Sequence, residues 1–197
     1  MRKHRNDNRP HLDRRGMTLV ELMVGVALFA VVMGAVMAFV TQSRRSYEDT
    51  RERVQYQQGL RAVVSMMTRE LRSTGCDPNN VGFDEFGFAS ATAMNCSMDL
   101  NGDGDTMDNG PDENVAYAYD TVNEELLRFD GLNVMTILRD VTTVQFRYFD
   151  ENGAELLNVP LNAVDRDRIR TVQVTIAGET ESGEPVDLTS RIALRNI

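Results

Sequence analysis

Between residues 99 and 105 the chain reads Asp99-Leu100-Asn101-Gly102-Asp103-Gly104-Asp105. Oxygen-bearing side chains at alternate positions, with a glycine beside them, can converge on one hard cation. This is the opening spacing of an EF-hand calcium loop. Asp99, Asn101, Asp103, Asp105 and Asp108 are the candidate ligands, and one structural calcium ion is the expected occupant. The twelfth position, where an EF-hand places a bidentate glutamate, is Gly110. Asp108, Asp112 or Glu113 stand close enough in the chain to substitute. No helix pair flanks the segment, so the expectation is a calcium loop outside the EF-hand fold. The alternative is a solvated acidic turn, although the carboxylates between Asp99 and Asp112 would then repel one another.

Two cysteines occur, Cys76 and Cys96. An even pair in an exported domain suggests one disulfide. It would close a loop of about 20 residues and contribute roughly 3 kcal/mol by loop entropy. Two separate buried thiols are the alternative. Catalytic chemistry has little to work with. Past residue 16 there is no His, Lys or Trp; His4, His11 and Lys3 all precede it. The usual general base, a Schiff-base lysine and most transition-metal ligands are thereby missing from the body. No phosphate-binding glycine loop is present, and Ser65 and Ser73 have no base beside them. The expectation is a protein that is not an enzyme.

The remaining chemical oddity is Glu21. From Leu22 to Val40 the chain has 19 residues without a charge. At ~1.5 Å per residue these span about 28 Å, close to the ~30 Å hydrocarbon core of a bilayer. A carboxylate at the head of such a segment costs a few kcal/mol, and such groups usually have a partner and a role. Ahead of it, residues 1–16 carry six basic side chains against Asp7 and Asp13. That is a net of +4 in a chain of −9, which leaves −13 for residues 17–197. So acidic a body is repelled by phosphates, and nucleic acid is set aside as a partner. Positive charge before an apolar span keeps that end in the cytoplasm and the acidic body outside it. An ordinary secretory signal does not fit, because no A-x-A-like site follows the apolar run.

Arg14-Arg15-Gly16-Met17-Thr18-Leu19-Val20-Glu21-Leu22-Met23 resembles the cleavage and methylation motif of type IV pilins and of type II secretion pseudopilins. A basic leader ends in Gly, a Thr and a Leu follow, and Glu comes fifth after the cut, before the apolar helix. The first residue after the cut is usually Phe in that family and is Met17 here. The resemblance implies that a prepilin peptidase cuts between Gly16 and Met17 and that the new amine of Met17 is N-methylated. It also implies that Glu21 pairs with the amino terminus of a neighbouring subunit. Partners would be other pilin or pseudopilin subunits, the peptidase and an inner-membrane assembly platform. The protein would be single-pass in the inner membrane with its C-terminal domain extracytoplasmic, and afterwards part of a pilus or pseudopilus fibre. The segment Leu138–Asp150 further resembles the body of PilW-type minor pilins and of the J-type pseudopilin. Pairing between a terminal cation and Glu21 would neutralise two groups that hydrocarbon disfavours and would fix the register between subunits.

The elements that must position these groups follow from periodicity. Tyr47, Val54, Leu60, Val63, Val64, Met67 and Leu71 form one apolar stripe at helical spacing. Ser73-Thr74-Gly75 and then Pro78 are a stop signal. One helix from about Met17 to Thr74 would be roughly 87 Å long. Residues 17–41 form its membrane or fibre-core half and 42–75 its amphipathic half. Residues 76–114 read as a loop region holding the acidic segment. Residues 115–197 read as an antiparallel β-sheet domain, with strand-like runs at Val115–Tyr119, Glu125–Phe129, Val144–Phe149, Arg168–Ala177 and Leu188–Leu194 and a short apolar segment at Val134–Arg139. The fold class expected is α+β and pilin-like, with the amphipathic half of the helix packed on the sheet.

Overall fold

The structure is a computed structural model describing residues 16–108, 110 and 112–196. The expected leader, residues 1–16, lies outside the described residues except for Gly16. The chain divides into two compact units, Met1–Tyr47 and Glu48–Ile197. Helix α1, Leu19–Ser73, contributes to both.

In the first unit, residues 16–47 are exposed at every position. The helix there is long and apolar enough to cross a membrane. Its uncharged side chains include Phe29, Val31, Met37 and Phe39, all more than half exposed. Burial of these groups therefore needs something other than this chain's own core.

In the second unit, the later turns of α1 bury Leu60, Val63, Val64, Met67 and Leu71. The expected stripe is thus correct from Leu60 onward, while Tyr47 and Val54 are exposed. The helix ends where the sequence signals it. Thr74 N–H still reaches Glu70 O at 3.0 Å, and Gly75 then takes φ 75°. That left-handed conformation suits glycine, because it has no Cβ to clash.

Seven strands follow: β1 Ala93–Ser97, β2 Asn114–Asp120, β3 Glu125–Phe129, β4 Val134–Leu138, β5 Val141–Phe149, β6 Thr171–Glu179 and β7 Pro185–Ala193. A short helix, α2 Ala163–Arg166, sits between β5 and β6 and is capped by Asn162. The strands make two antiparallel sheets, in the orders β1-β2-β3-β4 and β5-β6-β7. The α+β pilin-like arrangement holds, with two sheets where one was expected, and with β1 inside the segment expected to be loop. Strand β6 alternates buried Val172, Val174 and Ile176 with half-buried neighbours, as its sequence pattern requires. Both sheets and the helix share one core, in which Met67 and Leu71 join Met94, Tyr117, Phe146, Tyr148 and Ile176.

The chain changes sheet at Arg139 and Asp140. Tyr56 on α1 donates its hydroxyl to Asp140 O at 2.8 Å and to Arg139 O at 3.2 Å. Asp140 has φ 57°, and its carbonyl also accepts from Glu179 N–H at 3.1 Å. Gly178 on β6 lies under this junction, where an added methyl would run into the Tyr56 hydroxyl and the Asp140 carbonyl. The helix is fastened again further along. Arg128 on β3 donates to Glu70 Oε1 from Nε and one terminal nitrogen at 3.1 and 2.8 Å, and to Asp112 Oδ2 at 2.7 Å. Tyr117 on β2 also donates its hydroxyl to Glu70.

Candidate functional site

Two places hold the residues singled out by chemistry, one in each unit. The first is the entry to α1. Thr18 precedes the first helical residue, Leu19. Its N–H and its hydroxyl both donate to Glu21 Oε2 at 2.9 Å, and Glu21 N–H donates back to Thr18 Oγ1 at 3.3 Å. This reciprocal pattern is a capping box, which satisfies backbone donors that a helix start leaves without partners. Its negative end also sits at the positive end of the helix dipole. The role of Thr18 is legible in Thr-x-x-Glu before an apolar run, a signal the family motif had overshadowed. Both bonds from Thr18 fall on Oε2, so Oε1 accepts no bond among those found for the described residues. Glu21 is exposed, as are Gly16 and Met17 on its N-terminal side. The arrangement can accept a cation from outside this chain without breaking the cap.

Residues 12–37 match the family model for the prokaryotic N-terminal methylation motif. Over those residues the chain is similar to type IV pilin-like prepilins, and the match supports that family. No curated protein matches it. The motif belongs to structural subunits and not to catalysts, and it implies contact with other pilus subunits and with a prepilin peptidase. The exposed apolar helix and the motif together fit membrane anchoring of this chain.

The second place is the acidic loop, which lies in the unit Glu48–Ile197. Asp99 is fully buried, and its two oxygens accept from Gly102 N–H at 2.6 Å and Gly104 N–H at 3.0 Å. Asn101 Oδ1 accepts from Asp103 N–H at 2.8 Å. Its amide donates to Asp103 Oδ2 at 3.1 Å and Asp108 Oδ2 at 2.6 Å. Asp105 accepts from Met107 N–H at 2.8 Å. The expected ligands do not gather at one point. Asp103, Asp105 and Asp108 form one exposed group, while Asp99 and Asp103 form another with Glu113. The hydrogen bond from Asp105 N–H, with help from Asn101, holds the Asp103 carboxyl below the usual carboxylate range. Asp108 is pushed upward, by burial first and then by the charges of Asp103, Asp105 and Glu113.

Of the substitutes for the missing twelfth ligand, Asp112 is taken up by Arg128. Glu113 is fully buried and accepts Leu100 N–H at 2.8 Å and Asn101 N–H at 3.1 Å on Oε1. Its place beside Asp99 could not be read from spacing, because it depends on the chain folding back. Met98 N–H donates to Glu113 O at 2.9 Å and fixes that return.

The expected Cys76–Cys96 disulfide is not present; both residues are free thiols. Cys96 is wholly buried on β1, with Sγ 3.5 Å from Val115 O. Burial pushes its thiol up to about 12. A group so far from ionising is a poor nucleophile for disulfide exchange.

Proposed function

We propose that this prepilin is a minor pilin, a non-catalytic subunit that primes or joins a type IV pilus and thereby serves adhesion or motility. The peptidase cuts between Gly16 and Met17 on the cytoplasmic face, and Met17 is then N-methylated. The mature chain crosses the inner membrane once, and its acidic body lies outside the cytoplasm. During assembly on the inner-membrane platform, Glu21 accepts the charged amine of a neighbouring subunit. The observation that carries this reading is a single carboxylate, Glu21, heading an exposed apolar helix inside the methylation motif. A charge there is tolerated in hydrocarbon only if it finds a partner.

The test is mass spectrometry of the membrane-extracted protein from cells that have the peptidase. The expected species begins at Met17 and carries one added methyl; an intact leader would remove the proposal. Glu21→Ala should insert into the membrane normally but be absent from sheared surface fibres, and normal incorporation would refute the pairing. The resemblance of Leu138–Asp150 to the J-type pseudopilin supports a second reading, a secretion pseudopilin. Recovery of the protein only from the envelope, with loss of secretion on its deletion, would favour that one.

A further inference from the structure

Among the described residues, Glu113 Oε2 is the buried side-chain oxygen that accepts no hydrogen bond. Glu113 has no exposed surface, and neither has Asp99. A carboxylate oxygen shut away from water without a donor is strongly disfavoured. Its surroundings make matters worse, since ligand oxygens of Asp99, Asp103 and Glu113 all lie within 4.8 Å of one another. No ion pair found among the described residues reaches any of the three. Beyond residue 16 the chain has no Lys or His to supply a charge. Arg128, next door at Asp112, is also bonded to Glu70.

We propose that Asp99, Asp103 and Glu113 anchor one calcium ion, with Glu113 Oε2 taking the place of the absent twelfth-position ligand. All the donors are oxygen, which suits a hard cation and not zinc or copper. Two ligands on opposite sides of a calcium ion stand about 4.6–5.2 Å apart, so three oxygens within 4.8 Å fit around one. Magnesium requires a tighter octahedron and gives up its waters reluctantly. The exposed group Asp103, Asp105 and Asp108 lacks a buried orphan oxygen and serves at most as an outer fringe. The ion ties the loop 99–105 to the residue immediately before β2. It thereby closes the connection between β1 and β2.

The experiment is calorimetric titration of the full chain in detergent micelles, stripped with a chelator, using calcium chloride and in parallel magnesium chloride. Thermal unfolding is recorded at each endpoint. The expected result is one calcium bound with a Kd of about 1 mM or tighter, a raised Tm, and no comparable response to magnesium. Glu113→Gln keeps the acceptor for Leu100 and Asn101 N–H but should weaken calcium at least about tenfold. Asp103→Asn, at an exposed position that carries little folding risk, should do the same, while Asp105→Asn should stay within about threefold of the parent. Absence of calcium-dependent heat or Tm change up to about 10 mM would overturn the proposal. Parental affinity in both Glu113→Gln and Asp103→Asn, or loss confined to Asp105→Asn, would overturn it too. Calcium binding is independent of leader removal, so its failure and that of the pilin reading are seen separately.

Discussion

Arg128 shows most plainly what one residue does here. Its side chain is almost wholly buried, and it serves two acids, Glu70 and Asp112. Burial alone would lower its pKa, but the hydrogen bonds to Glu70 and Asp112 outweigh that and raise it. Removing it leaves Glu70 partly buried with only the Tyr117 hydroxyl to satisfy it. Arg128→Met should therefore cost about 3–5 kcal/mol in urea unfolding, whereas Tyr117→Phe should cost about 1 kcal/mol. Equal losses in the two variants would contradict this ranking. Cys96 makes a different prediction. In the native protein an alkylating reagent at neutral pH should leave Cys96 unmodified, and denaturant should expose it. Because its folded value is raised to about 12 from an ordinary 9.0, its contribution to stability is complete below about pH 9 and is lost as pH climbs from there towards 12. Modification of Cys96 in the folded, reduced protein would show that the burial is wrong.

At the scale of elements, the junction of α1, β5 and β6 is the tightest constraint. Gly178→Ala places a methyl against the Tyr56 hydroxyl and the Asp140 carbonyl, and a backbone carbonyl cannot swing aside cheaply. The expected destabilisation is about 1–3 kcal/mol. Tyr56→Phe should cost about 1 kcal/mol, and the double variant less than the sum, because removal of the hydroxyl relieves part of the clash. Additivity in the double-mutant cycle would argue against the shared junction. None of this was legible in the sequence. Alternation marks out β6 and most of its neighbours, since each has one buried and one wetter face. It does not say that pairing breaks at Arg139 and Asp140, because a two-residue link is also what an ordinary hairpin uses. Strand β1 was hidden for another reason. Its polar Asn95 and Ser97 are buried, not solvated, because Asn95 N–H donates to Phe88 O, Ser97 N–H to Glu85 O, and Gly87 N–H to Asn95 Oδ1. The covering segment 85–88 has no pattern that announces its position. The motif around Glu21 was readable because its meaning lies in local spacing, whereas the loop residues that spacing put in one ligand set fall into two groups. Glu113 stood only as one of three possible substitutes for the twelfth ligand, because its place beside Asp99 is made by folding.

Across the whole molecule, apolar surface and charge are divided between the two units. The core draws on α1 only from Tyr56 onward, and no residue from 16 to 47 is buried. The stability of the second unit should therefore be independent of the first. A fragment comprising Glu48–Ile197 retains the helical stripe, both sheets, the Glu70–Arg128 network and the acidic loop. It loses the uncharged run that would make the full chain insoluble without detergent or membrane. Such a fragment should be monomeric in buffer and unfold cooperatively within about 2 °C of the body of the full chain in micelles, since every buried contact is conserved. The comparison is direct by calorimetry or far-ultraviolet circular dichroism. A drop of more than about 5 °C, or aggregation without detergent, would mean that the first turns of the helix support the body after all. The division also explains how one chain can serve two environments. Beyond its capping of the helix start, a carboxylate at Glu21 demands a partner where hydrocarbon makes it expensive, and the acidic body has room for many such groups because water or a cation can attend to them.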